Sequence, residues 1–230
     1  MGEEEGGTAP AAPLGGSAGG SWLDLKSQLA FYGFYHQNFY NQLIHLVFVP
    51  VIAGTTVLWC TYTGPLLPAG SEALDEPWNR LLVPNLAAAV VLFYSTYYMY
   101  LDFPMGLAWA AAMGVPILFL ANYVSSVYGT ASWAPALGLH GLGWYMQLHP
   151  GHKIFERRKP ALLDGLVQSF LTAPFFVFIE LLFWLGFRKQ LRAELEELIL
   201  ARTKALAQAK GGRGGGGQDS VYAKLAASRE

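Results

Sequence analysis

The chain has little charge and almost no cysteine, and both shortages exclude classes of protein. Only 13% of its 230 residues are charged and 53% are hydrophobic, whereas soluble domains carry roughly 25% charged residues. The single cysteine, Cys60, excludes an intramolecular disulfide and a cysteine-based zinc cluster. The formal net charge of −1 offers no basic surface to nucleic acid, so no nucleic-acid partner is expected.

Long apolar runs stand where charge is missing. Five of them approach the length of about 20 residues that a membrane-crossing helix needs; they are residues 43–64, 81–101, 104–124, 131–149 and 166–187. Open strands leave unpaired backbone groups in lipid, whereas helices do not. We therefore predict an all-α fold, a polytopic membrane helical bundle of four to five transmembrane segments with disordered tails.

We interpret residues 21–190, which contain the apolar runs, as a membrane-embedded domain. The two ends of the chain differ from it in composition. Residues 1–20 are acidic and glycine-rich, lack the apolar core of a secretory signal, and are expected to be a disordered tail. The first apolar run is then an uncleaved anchor. Residues 188–210 predict an amphipathic helix on the membrane surface or against a partner. Residues 211–230 are expected to be a second disordered tail.

Loop charges give the predicted spans an orientation. Loop 65–80 is acidic and is expected on the lumenal or external side, whereas loop 150–160 is basic and is expected in the cytoplasm. Four spans satisfy both assignments. A fifth crossing would carry the basic residues after position 187 to the wrong side, so a re-entrant hairpin at Pro174 is the alternative.

All five histidines fall in two short stretches. His36 and His45 bracket the start of the first span, and His140, His149 and His152 lie at the end of the fourth, on the same predicted cytoplasmic side. Ionisable groups in membrane segments are functional candidates, and neutral imidazole is a common metal ligand. We therefore predict a site for one metal ion. An interfacial hydrogen bond is the alternative for any single histidine.

Helical spacing limits how many histidines can bind together. A separation of nine residues is two and a half turns, so His36 and His45 would face opposite ways on one unbroken helix. The same holds for His140 and His149, unless Pro150 and the nearby glycines break the segment. Three or four ligands are therefore a safer expectation than five.

Two polar residues lie four positions from a histidine and are candidate catalytic residues. Asn41 precedes His45, and Glu156 follows His152, so each pair shares a helical face. Glu156 is either a metal ligand or the partner that orients an imidazole, with a surface ion pair as the alternative. Gln147 is a weaker candidate. Without nearby cysteine, the metal is zinc, non-haem iron, copper or manganese.

These motifs resemble a known family. The stretches FYGFYHQNFYNQLIHLVFVPVI at residues 31–52 and GHKIFERRKPALLDGLVQSFLTAPFFVFIE at residues 151–180 carry the resemblance. They are similar to small membrane proteins whose characterised fungal member is the endoplasmic-reticulum 2-hydroxy fatty acid dioxygenase of phytosphingosine breakdown. The resemblance covers about residues 24–190 and leaves out both tails.

The resemblance implies an iron(II)-dependent α-oxidation, in which a long-chain 2-hydroxy fatty acid reacts with O2 and becomes one carbon shorter. It implies one Fe(II) ion per chain, and a multi-pass protein of the endoplasmic reticulum membrane with its metal site near the cytoplasmic face. The expected metal ligands are His36 and His45 from the first motif and His149 and His152 from the second. His140 is a less certain fifth ligand.

Basic residues follow the second histidine motif. Lys153, Arg157 and Arg158 are expected to attract the substrate carboxylate, with ordinary positive-inside topology as the alternative. Two other functions stay open for the chain. One is a non-catalytic membrane lipid-binding or scaffold protein with structural histidines, and the other is a zinc-dependent lipid hydrolase.

Overall fold

The computed structural model describes residues 22–66, 83–163 and 165–211, which are helical and contain no β-strand. The helices are α1 Leu25–Phe34, α2 Phe39–Thr61, α3 Leu86–Leu101, α4 Phe103–Trp109, α5 Val115–Tyr128, α6 Trp133–Met146, α7 Leu166–Trp184 and α8 Lys189–Gly211. A π-helical segment, Ala110–Gly114, joins α4 to α5, and another, Gln147–Glu156, continues α6. The predicted all-α class is confirmed. Most of loop 65–80 and nearly all of both predicted tails lie outside the described residues.

Three helices are long and apolar enough, by length and composition, to cross a membrane: Phe39–Thr61, Phe103–Glu156 and Leu166–Trp184. The second contains 54 residues and reverses direction at a 3-10 turn after α5, where Gly129 adopts a positive φ of 52°. Its two halves therefore run antiparallel to each other along α2. With the shorter apolar helix α3, they form the predicted membrane helical bundle.

Asparagine side chains begin two of the apolar helices. The Asn38 carbonyl accepts hydrogen bonds from the N–H groups of Tyr40 and Asn41, and Asn85 accepts one from Ala88. Such caps satisfy backbone donors that have no partner within the helix. They explain why α2 begins at Phe39, four residues before the predicted apolar run.

Helix α7 runs unbroken through Pro174, so the re-entrant hairpin is not formed. Proline has no N–H to offer the carbonyl of Phe170, four residues earlier. The Tyr94 hydroxyl donates to that carbonyl at 3.4 Å, and the Tyr98 hydroxyl donates to the Leu171 carbonyl at 2.8 Å. Side chains of α3 therefore supply hydrogen bonds that water cannot supply inside a bilayer.

Both ends of α7 contact elements that gather where α2 begins. At one end, the rings of Trp184 and Phe39 lie 5.3 Å apart, and at the other, Gln168 donates a hydrogen bond to α1. Just beyond α7, Arg188 forms an ion pair with Asp102 at the junction of α3 and α4. The C-terminal end of α7 and the Arg188 that follows it thus lie near the start of α2, and whether α7 crosses the membrane stays a prediction.

Helix α8 takes up residues 189–211, where the sequence predicts an amphipathic helix. Its apolar residues Leu191, Leu195 and Ile199 are buried. The Ile199 side chain packs so close to Gly33 of α1 that a Cβ there would lie 2.9 Å from it. These three residues of α8 are therefore covered by the same chain.

The substitution Tyr98→Phe should lower the free energy of unfolding by about 1 kcal/mol, because it removes the hydrogen bond to Leu171. The ring would keep its stacking on Phe175 at 4.3 Å. Tyr100→Phe is the matched control, since the Tyr100 side chain is exposed. Chemical unfolding of the purified chain in detergent measures both, and equal stability of the two variants would contradict this account.

Candidate metal centre

His36, His45 and His152 form one buried group. One ring nitrogen from each lies within 4.8 Å of the others, and the residues are 2%, 3% and 3% exposed. The ring centroids are 4.4 to 5.1 Å apart. Nitrogens bound to one ion at about 2.1 Å lie about 3–4 Å from each other. Small inward movements of the rings would therefore complete a three-histidine metal site.

Local structure explains how distant positions meet. His36 lies in the turn between α1 and α2, so it does not share a helix with His45 and the nine-residue spacing sets no limit. His152 lies on the π-helical segment, which packs against α2 at Gly151. A Cβ on Gly151 would lie 2.5 Å from the side-chain oxygen of Asn41, so only glycine permits this close approach.

Two of the rings have fixed tautomers. Nδ1 of His36 lies 2.8 Å from the Tyr32 carbonyl, and Nδ1 of His45 lies 2.9 Å from the Asn41 carbonyl. Because a carbonyl only accepts, each Nδ1 carries the proton and each Nε2 keeps a lone pair. Nε2 of His36 is buried with no hydrogen-bond partner. The two rings therefore present unprotonated Nε2 atoms, which are the atoms that bind a divalent metal.

The environment also keeps His36 neutral. Burial, reinforced by the neighbouring rings of His45 and His152, holds the pKa of His36 well below its ordinary value. A neutral imidazole is the form that binds metal. The geometry and electrostatics of the group therefore fit a metal cofactor.

Glu156 joins the π-helical segment to the start of α2. Its carboxylate accepts hydrogen bonds from the backbone N–H groups of Gln37 at 3.1 Å and Asn38 at 2.9 Å, and from the Asn41 side chain at 3.1 Å. These donors lie at the N-terminus of α2, where a negative charge is favoured. Glu156 thus joins the π-helical segment, which carries His152, to the start of α2, which carries His45. A catalytic role of Glu156 or Asn41 stays a prediction.

The other two histidines lie apart from this group. His149 stacks on Tyr145, with ring centroids 5.5 Å apart. Both nitrogens of His140 are hydrogen-bonded, Nε2 to the indole N–H of Trp144 at 3.0 Å and Nδ1 to the hydroxyl of Thr55 at 2.8 Å. His140 therefore has no free lone pair in this arrangement. The structure brings three of the five predicted metal-binding histidines together.

The three predicted substrate-binding residues occupy different positions. Lys153 and Arg157 are exposed, whereas Arg158 is buried and donates a hydrogen bond to the Phe34 carbonyl at 2.8 Å. The guanidinium of Arg158 also lies over the Phe34 ring, 5.4 Å from its centroid. None of the three lines the cavity that adjoins the histidines. Their role toward a substrate stays a prediction.

An apolar cavity of about 410 Å³ adjoins the three histidines. It follows one face of α2, whose lining side chains are His45, Val49, Ile52, Ala53, Thr56, Val57 and Trp59. The facing walls come from α3, α5, α6 and α7. The three-histidine group therefore lies at one end of a long apolar cavity, which is the shape that an amphiphilic ligand requires.

Residue-by-residue reasoning missed Tyr32. Its ring stacks on His36 with centroids 4.0 Å apart and planes 5° from parallel, and it lines the cavity. Tyr32 precedes His36 by four residues, and this helical spacing is the sequence signal that connects the two. The pattern of the histidines alone does not indicate Tyr32.

The fold and this site define a membrane-embedded helical protein with a three-histidine group suited to a metal. Residues 23–185 match the family described as 2-hydroxy-palmitic acid dioxygenase Mpo1-like. The chain is also 39% identical over 174 residues to the 2-hydroxy-palmitic acid dioxygenase MPO1 of Saccharomyces cerevisiae, covering 76% of this chain and 88% of that relative. The chain therefore belongs to the Mpo1-like family, which confirms the resemblance. No solved structure matches it.

The structure predicts which histidines hold metal. His45→Ala and His152→Ala should each reduce bound metal to less than about 0.3 ion per chain, because two imidazoles alone bind weakly. His149→Ala is the matched control and should retain the wild-type content. Elemental analysis of purified, folded protein measures all three. Loss of metal from the His149 variant alone would contradict the assignment.

Proposed function

We propose that the chain is an iron(II)-dependent dioxygenase of long-chain 2-hydroxy fatty acids, which it shortens by one carbon. The observation that best supports this proposal is the group of His36, His45 and His152 at the end of an apolar cavity. The name of the yeast relative, 2-hydroxy-palmitic acid dioxygenase, supports both the reaction class and the substrate class.

The proposed reaction balances without a further co-substrate. A 2-hydroxy acid and one O2 give the acid one carbon shorter, one CO2 and one water. The bond between C1 and C2 breaks, C2 is oxidised to a carboxyl carbon, and O2 takes up the four electrons. No external reductant is required.

Iron, when bound, would supply the redox centre at which a 2-hydroxy acid and O2 react. Three histidines leave coordination positions open for such ligands. Zinc has no redox chemistry, so the zinc-dependent lipid hydrolase is a different reaction class and is distinguished by its independence of O2. The chain itself supplies the fixed Nε2 donors and an apolar space that excludes water.

The cavity length supports a long acyl chain. Fourteen residues of helix separate His45 from Trp59, which gives a wall about 21 Å long at about 1.5 Å per residue. An extended alkyl chain advances about 1.25 Å per carbon, because its bonds of about 1.5 Å zigzag. The wall therefore suits about 16 carbons.

We place the protein in the endoplasmic reticulum membrane with its histidine group toward the cytoplasm. Support for the orientation comes from Lys153 and Arg157, exposed just after the group, and Arg188 at the same end of the bundle. The surface cations would also draw an anionic substrate toward the site. A scaffold with structural histidines fits less well, because Nε2 of His36 has no hydrogen-bond partner.

The function is tested with purified chain, Fe(II), O2 and 2-hydroxypalmitate labelled with ¹³C at C1. We expect pentadecanoate and labelled CO2 in equal amounts, and at least a 100-fold lower rate for His45→Ala, because a ligand is lost. Mass spectrometry measures both products. Equal product from His45→Ala, product formed without O2, or activity with zinc alone would contradict the proposal.

The cavity also predicts a change in chain-length preference. Ala53 lines the cavity about 12 Å along α2 from His45, so Ala53→Phe should block chains longer than about 10 carbons. The ratio of kcat/KM for 2-hydroxydecanoate to that for 2-hydroxypalmitate should rise at least about 10-fold.

The matched control for that change is Gly54→Phe. Gly54 is the next residue but faces a separate apolar groove between α5 and α6, so the added ring should leave the ratio unchanged. Competition between the two acids in one assay measures the ratio directly. An equal shift in both variants would mean that the acyl chain does not lie along this face of α2.

A further inference from the structure

The wall of the cavity beside His152 holds a polar side chain that the metal group does not use. Gln147 is 7% exposed and lines the cavity, and its side-chain Nε2 has no hydrogen-bond partner. A buried amide donor without a partner is costly, and an absent ligand is one cause of such a group in a native structure. The Gln147 amide is therefore available to an acceptor that enters the cavity.

The π-helix directs Gln147 to the histidine group. Hydrogen bonds in a π-helix run between residues five apart, with about 4.4 residues per turn. Gln147 and His152 are five apart on this segment, so they share a face, and both line the cavity. On an α-helix the same pair would point in different directions.

A second donor, the Tyr32 hydroxyl, belongs to a ring that packs on the group. Tyr32 lines the cavity and stacks on His36, and its ring stands edge-on to His45 at 6.5 Å. Tyr32 and Gln147 thus both line the cavity, Tyr32 in contact with His36 and Gln147 on the same helical segment as His152.

The proposed substrate creates a need for such donors. A carboxylate has more acceptor sites than one ion can take, and burying it without further hydrogen bonds is costly in an apolar space. The basic residues predicted for this task do not line the cavity, since Lys153 and Arg157 are exposed and Arg158 donates to Phe34. The remaining donors beside the histidines are neutral.

We propose that the Gln147 amide, assisted by the Tyr32 hydroxyl, binds the carboxylate of the fatty acid beside the metal and so selects acids over neutral lipids. This inference rests on the proposed function. Gln147 and Tyr32 are positioning residues in this scheme, because they hold the head group and leave the oxidation to other groups.

The test measures binding to the purified full-length protein in detergent with O2 excluded, and therefore does not depend on turnover. Displacement of a fluorescent fatty acid gives the Kd of 2-hydroxypalmitate and of hexadecane-1,2-diol, which keeps two oxygens but has no charge. Gln147→Leu should weaken the acid at least about 10-fold, because a hydrogen bond to a charged group is lost. Gln147→Glu, nearly isosteric, should weaken it further and leave the diol within about 3-fold.

Controls separate recognition from damage. Gln190→Leu, on the exposed face of α8, should leave both Kd values unchanged. If the Gln147 variants do not fold, Tyr32→Phe decides, since it removes one oxygen and should weaken the acid about 3- to 10-fold. Equal loss for acid and diol, or an unchanged Kd for the acid, would overturn the inference.

The outcome is separable from that of the proposed function. Selective acid binding that depends on Gln147, without any chain-shortened product, would defeat the dioxygenase and keep the head-group site. Turnover by wild type with an unchanged KM for the acid in Gln147→Leu would keep the dioxygenase and defeat the head-group site.

Discussion

The carboxylate of Glu156 is the contact on which the histidine group depends. It accepts hydrogen bonds from the backbone of Gln37 and Asn38 and from the side chain of Asn41, so one residue fixes the π-helical segment against both the α1–α2 turn and α2. His36 belongs to that turn, the Asn41 carbonyl holds the ring of His45, and His152 lies one turn before Glu156. A carboxylate at a helix N-terminus is favourable, and without it these three donors would lose their acceptor.

Part of this site follows from sequence spacing. Asn41 and His45 are four apart, and the Asn41 backbone carbonyl binds Nδ1 of His45, as this helical spacing allows. Glu156 follows His152 by four residues and contacts Gln37, Asn38 and Asn41, so its role toward a histidine stays a prediction. Spacing could not choose among the five histidines. His36 meets the others through the α1–α2 turn, and the placement of His152 depends on the π-helix packed against α2 at Gly151. Both are tertiary effects with no simple sequence pattern.

The membrane fold, too, could be predicted from the sequence only in part. Apolar length predicted the helices, because lipid forces each span to satisfy its own backbone. It could not predict the path of α7, since Pro174 allowed either a break or a continuous helix. The continuous helix is stabilised by the hydroxyls of Tyr94 and Tyr98, which are distant in sequence and donate to the carbonyls near the proline. The basic residues after α7 then lie near Asp102, where Arg188 pairs with it.

The apolar walls of the cavity impose a condition on its polar end. A space that accepts a long alkyl chain has a low dielectric, so charge placed there is expensive and each hydrogen bond matters more than in water. Exposed cations such as Lys153 lie outside the cavity, and salt screens any attraction that they exert on an anion. In the proposed function, the head group at the inner end would then be recognised by a few neutral, buried groups. The rings of His36 and His45 are held in place because each Nδ1 binds a backbone carbonyl. Gln147 is held by its place on the π-helical segment.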